Sequence, residues 1–217
     1  DDMLEIVEKA KKKIEKELAR VQNEEKLKKQ LQENLPMIKE RYLDYILAGR
    51  FRLSDILKKN TFLNINLNQE NFTVMVMEVD IFDKESDLPD IEKLKLSMLN
   101  MKNIISEQIN EKFKAEVIED YPNRFITVIN YPDTKDETEI IKSLNHLGEK
   151  LINMTREYFS KSLIIGIGRL YQDDDFISES YQEALEALEY RIFPGVEDII
   201  YIGDVAVNEK RDKFRYP

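Results

Sequence analysis

A narrow apolar stripe along the first 47 or so residues limits this chain more than any other feature. Apolar residues recur at Val7, Ala10, Ile14, Leu18 and Val21, and again at Leu27, Leu31, Leu35, Ile38, Tyr42 and Ile46. Steps of three and four place them along one side of a helix. From Met3 to Leu31 the residues off that stripe are mostly Lys, Glu, Gln and Asn. Thirty helical residues reach roughly 45 Å, and so slender a stripe on so long a helix is the seam of a coiled coil, which requires a partner helix. The single-chain alternative is a surface helix folded back on its own domain. Asn23, Glu24, Glu25 and Lys26 stand where an apolar residue is due; such a gap weakens pairing locally and suits two helices that shift register. Pro36 is expected to kink the helix or start a new one. Gly49 reads as the stop signal, and a short helix is expected from Ser54, as N-cap, to about Lys59, closed by Asn60.

The rest alternates strands and helices. Phe72 to Phe82 reads FTVMVMEVDIF, its first half nearly all apolar, as in a strand buried on both faces. Ile91, Leu94, Met98, Met101, Ile105 and Ile109 form a helical stripe. Ala115–Glu119 and Arg124–Asn130 are strand-like, separated by turn formers, and predict a hairpin. A second helix carries Ile141, Leu144, Leu147, Leu151, Met154 and Tyr158, and a strand spans Ser162–Arg169. A third helix carries Ile177, Tyr181, Ala184 and Leu188, and Ile199–Ile202 is a last short strand. The expected class is α+β, with helices flanking a mostly antiparallel sheet.

Composition closes several routes to function. The chain has no cysteine and one histidine, His146, so disulfides, thiolate sites and zinc or non-haem iron centres lack ligands. A net charge of −10 disfavours phosphate-backbone binding, and Lys11, Lys12 and Lys13 alternate with Glu8, Glu15 and Glu17 as on a solvated helix face. Apolar runs fall short of the ~20 residues of a membrane span and no signal-peptide pattern opens the chain, so no membrane partner and a cytoplasmic location are expected. Gly166-Ile167-Gly168 lacks the third glycine of a dinucleotide loop and reads as close backbone packing inside a strand. Asp173, Asp174 and Asp175 are a possible calcium cluster, but their place ahead of a helix favours capping. His146 is expected to face solvent, and Met75, Met77, Met98, Met101 and Met154 to fill the core.

The strand SLIIGIGRL (162–170) and the following SYQEALEALEYRIFPG (Ser180 to Gly195) resemble the "vSiGia" strand and "ADeALYrAKxxGrN" helix of the GGDEF domain family, the nucleotidyl-cyclase-like domains that make cyclic di-GMP. Ala184 and Ala187 would let that helix approach the sheet closely. The likeness covers 72–203. Where an active cyclase reads RYGGDEF at its hairpin, this chain has Glu119-Asp120-Tyr121-Pro122-Asn123-Arg124-Phe125. Tyr121 and Pro122 replace the two glycines that let the backbone meet the nucleotide, and Asn123 and Arg124 replace the acidic pair. The resemblance puts the first-strand metal carboxylate at Glu78, with Asp80 two residues on. No RxxD-type inhibitory site precedes the hairpin. Cyclase activity is not expected, and no catalytic, cofactor-binding or metal-binding residue and no cofactor is assigned.

The segment QENLPMIKERYLDYILAGRF, two short helices and a degenerate domain ending in ISESYQEALEALEYR together resemble the central region of YesN-type response regulators of the AraC class. That resemblance implies a receiver domain before residue 1, whose last helix resembles DDMLEIVEKA at 1–10, and a helix-turn-helix domain after Pro217, through which alone DNA would be bound. The expected organisation is a coiled-coil signalling helix at 1–48, a short helical connector at 49–70 and a degenerate GGDEF-like domain at 71–217. The expected function is homodimerisation through the N-terminal coiled coil and non-enzymatic signal relay in a two-component transcription regulator. The alternative is a small-molecule or nucleotide sensor that keeps a dead cyclase pocket; an active diguanylate cyclase ranks last.

Overall fold

Helix α1 (Asp2–Leu47) runs 46 residues with Pro36 inside it. The computed structural model describes residues 2–81, 91–120, 122–132, 136–193 and 197–205, and the side chains of all of these except 2–10, 12 and 15. The chain divides into two compact units, Asp1–Tyr42 and Leu43–Pro217. The helix continues through Pro36 instead of restarting there. Gln32, whose carbonyl loses its helical donor, is exposed, so water can serve the orphaned oxygen.

In the second unit, Leu43, Ile46 and Leu47 of the last turn of α1 are buried. The turn closes as a Schellman motif: Arg50 N–H donates to Tyr45 O and Gly49 N–H to Ile46 O, both at 2.9 Å. Gly49 holds φ at +66°, the left-handed geometry that favours glycine, and the stop signal read there is found. Helix α2 (Leu53–Lys59) follows, with Asn60 as its C-cap and Leu53 and Ile56 buried. Its N-cap is Arg52, not Ser54. Ser54 lies in the first turn, where its N–H is served by Asp174 Oδ2 at 2.6 Å. The connector to the sheet is pinned by side chains: Asn130 Oδ1 accepts from Asn68 N–H at 2.7 Å and Nδ2 donates to Glu70 O at 2.9 Å.

The sheet comprises β1 (Glu70–Val79), β2 (Lys114–Asp120), β3 (Arg124–Asn130), β4 (Leu163–Ile167), β5 (Tyr171–Asp173) and β6 (Ile199–Tyr201). Its order is β2-β3-β1-β4-β6, with β5 also pairing β1. Every pairing is antiparallel except β4 with β6. The first strand ends at Val79; Phe82, where it was expected to end, lies outside the described residues. The three-residue β5 has no counterpart in the sequence reading.

Pleating sorts the side chains. Met75, Met77 and Val79 of β1 join Phe125 and Ile129 of β3 in a core under α3 (Ile91–Asn110) and α4 (Glu137–Phe159). In α4 the buried set is Ile140, Leu144, Leu147, Gly148, Leu151, Ile152 and Thr155, while Tyr158 is exposed. The expected stripe was therefore rotated slightly, because Ile140-Ile141 and Leu151-Ile152 fit either register. The opposite sheet face carries α5 (Ile177–Glu189). The expected α+β class, a long N-terminal helix and then a mostly antiparallel sheet flanked by helices, is what the chain adopts.

Helix α5 packs without slack. A Cβ on Gly166 would lie 2.2 Å from Ala184 O, and one on Gly168 would lie 2.0 Å from Ser180 O. Ala184 and Ala187 are fully buried, so the small residues on both partners set the close approach. The fully buried Ser180 bridges the gap between β4 and β5: its Oγ accepts from Val74 N–H and donates to Arg169 O, both at 2.9 Å. Ser180→Ala would leave the buried Val74 N–H unpaired and is expected to lower stability by about 1–3 kcal/mol, read as a lower urea midpoint at unchanged slope.

Candidate functional site

At the end of β1, Glu78 stands directly across from Arg124 of β3, on the α5 side of the sheet. Arg124 Nη2 donates to Glu78 Oε2 at 3.1 Å and its Nη1 lies 3.6 Å from Asp120. The other Glu78 oxygen accepts from Arg191, which follows α5. Asn123 extends the ladder into the turn: its carbonyl accepts from Val79 N–H at 2.8 Å and its Nδ2 donates to Val79 O at 2.9 Å. Asp80 N–H donates to Ser162 O at 3.0 Å. A recess of about 570 Å³ here is lined by Glu78, Asp80, Asn123, Arg156, Arg191 and Asp198, among others. Tyr121, which stands in place of the first hairpin glycine, lies outside the described residues; Pro122 is in the turn and exposed.

Burial pushes the Glu78 carboxyl up, but the hydrogen bonds and charges of Arg191 and Arg124 outweigh it and hold the group below its ordinary value. This carboxylate therefore contributes stability in full above the unfolded value of 4.5 and loses it as pH falls through the lower folded value. Glu78→Gln is expected to cost about 1 kcal/mol at neutral pH. The difference between the two proteins should shrink as pH falls through the folded value, which urea melts in a series descending from pH 7 would read.

Both Glu78 oxygens face guanidiniums, so a further cation at this carboxylate would meet two positive charges at hydrogen-bond range. Strand pairing sets Glu78 against Arg124, and the turn after α5 adds Arg191, which was not singled out from the sequence. Arg191 sits 113 residues from Glu78, so no local pattern joins the two.

Other candidates resolve differently. Asp173 caps the short 3-10 turn that precedes α5, accepting from Asp175 N–H. Asp174 serves the start of α2, and Asp175 pairs with Arg52. The capping role holds, but two of the three carboxylates are engaged with a helix end and an arginine far earlier in the chain. Gly166 and Gly168 serve close packing. His146 is exposed, 3.7 Å from Glu149. Met75, Met77, Met98 and Met101 are in the core, whereas Met154 is half-buried.

In the first unit, Ile14, Leu18, Val21, Leu27 and Leu31 are 60%, 55%, 46%, 56% and 50% exposed. These are the stripe residues from Ile14 to Leu31; the side chains of Val7 and Ala10 lie outside those described. Among the described residues no helix is long and apolar enough to cross a membrane.

No curated protein matches the chain. Residues 48–190 match the model of a family described as a GGDEF-like domain. The match starts upstream of the likeness read at 72–203, taking in α2 and the connector, and covers well over half of the 217 residues. A sheet in the order β2-β3-β1-β4-β6 with α5 locked on one face and this match together place the chain in the GGDEF-like domain family.

Proposed function

We propose that this chain is a non-catalytic dimerisation and signal-relay module of a bacterial two-component transcription regulator. In the whole protein it would couple a receiver domain to an AraC-type DNA-binding domain in the cytoplasm. The exposed stripe of α1 carries the reading: five large apolar side chains at helical spacing, each about half exposed, are stabilised when a second copy covers them. A parallel pair would set identical downstream domains side by side for paired DNA half-sites. The polar gap at Asn23–Lys26 gives two packings close in energy, so a modest input shifts their populations.

The non-catalytic part is supported by the chemistry at Glu78. The group that the resemblance assigns to a metal has both oxygens directed at Arg124 and Arg191, and the donor set does not suit a magnesium-bound triphosphate. Incubation with GTP and Mg²⁺ is expected to yield no cyclic di-GMP; product formation would refute this half. Light scattering tests the other half. The chain should run as a dimer and the Leu18→Asp/Val21→Asp chain as a monomer.

A second reading, a small-molecule sensor, is favoured by the recess itself, which offers a polar ligand the guanidiniums of Arg156 and Arg191 beside the carboxylates of Glu78, Asp80 and Asp198. A thermal-shift screen with GTP and cyclic di-GMP separates the two, since the relay reading expects no shift at millimolar nucleotide.

A further inference from the structure

Within the unit Leu43–Pro217, α5 touches both the end of the incoming helix and the C-terminal strand, and we propose that it is the strut that couples them. This deepens the relay reading and rests on it. At the start of α5, the Schellman end of α1 backs onto Ser178: a Cβ on Gly49 would lie 3.2 Å from Ser178 Oγ. One turn later, Tyr181 lies within electrostatic reach of Asp44 in the last turn of α1 and of Asp120 and Arg124 in the hairpin. At the end of α5, Ala187 packs with Ile200 and Ile202 of the C-terminal segment, and Arg191 holds Glu78.

The middle of α5 transmits because it cannot yield. Ala184 and Ser180 sit against Gly166 and Gly168 with no room for a methyl group, so the helix cannot settle closer to the sheet and responds to a push at Gly49 as a body. Helix α3 shares the core on the other face with Met75 and Met77 and is separated from that push by the sheet, whereas α4 meets the route at β6, where Ile199 lies against Gly148 and Tyr201 donates to Glu137. The route from Gly49 to Ile202 therefore runs along one face.

Hydrogen exchange on the full chain, with the mass in solution measured on the same samples, tests the strut. Gly49→Val forces a branched side chain into positive φ and against Ser178. Peptides from 177–193 and 199–205 should then exchange about tenfold faster, while 91–110, which is on the far face of the sheet, stays within about twofold. Because coupling is reciprocal, Ile202→Ala should speed exchange at 43–51 as well as in α5. Acceleration that stops short of α5, equal acceleration on both faces, or an Ile202→Ala effect that never reaches 43–51 would overturn the strut. A monomeric wild-type chain would overturn the dimer reading instead, whatever the exchange pattern.

Discussion

Gly168→Ala is expected to lower stability by about 3 kcal/mol or more. The new methyl would stand 2.0 Å from Ser180 O, 2.6 Å from its Oγ and 2.7 Å from its carbonyl carbon. Two of those three atoms are helix backbone, which no rotamer change can move aside. Relief requires lifting α5 from the sheet, and the lift also breaks the hydrogen bond from Val74 N–H to Ser180 Oγ. A chain of this size loses roughly 2–4 °C of melting temperature per kcal/mol, so thermal denaturation should shift down by about 10 °C. Gly166→Ala should behave alike, since its methyl would lie 2.2 Å from Ala184 O. A melting temperature unchanged in both variants would mean that α5 is not seated as described.

Leu18→Asp/Val21→Asp should have the largest effect on association. In a dimer four apolar side chains are replaced by carboxylates. These positions are already 55% and 46% exposed in one chain, so each loses only the part that a partner would bury, about 1 kcal/mol. The dimer then loses about 4 kcal/mol, or a thousandfold in affinity, before repulsion among the new charges is added. Both residues are in the first unit, so the melting of the second unit should stay where it was. A variant that lost its fold together with its association would point to a different role for the stripe.

Local signals were legible and distant ones were not. Strand β3 is bounded by turn formers at one end and is apolar from Phe125 to Ile129 except at Thr127, and the read boundaries, Arg124 and Asn130, are those found. The end of α1 was readable because Gly49 supplies a conformation that other residues resist. Strand β5 was missed because Tyr171–Asp173 has no apolar pattern of its own; it is a strand through pairing of Glu70 with Asp173 and Phe72 with Tyr171. Ser54 was read as an N-cap because serine is favoured there, yet the start of that helix is served by a carboxylate 120 residues away. The helix through Pro36 shows the reverse: an exposed helix tolerates a lost hydrogen bond that water replaces. At the candidate site, the replacement of the acidic hairpin pair was visible in Asn123 and Arg124. The clasp of Glu78 by Arg191 depends on where α5 ends in space and left no local trace.

The claim on which the rest depends is that the stripe of α1 is covered by another copy of the chain. Sedimentation equilibrium over a range of concentrations measures this directly. The expected result is a species of twice the 25.7 kDa chain mass that persists to low micromolar concentration. A single species at the chain mass throughout would contradict it.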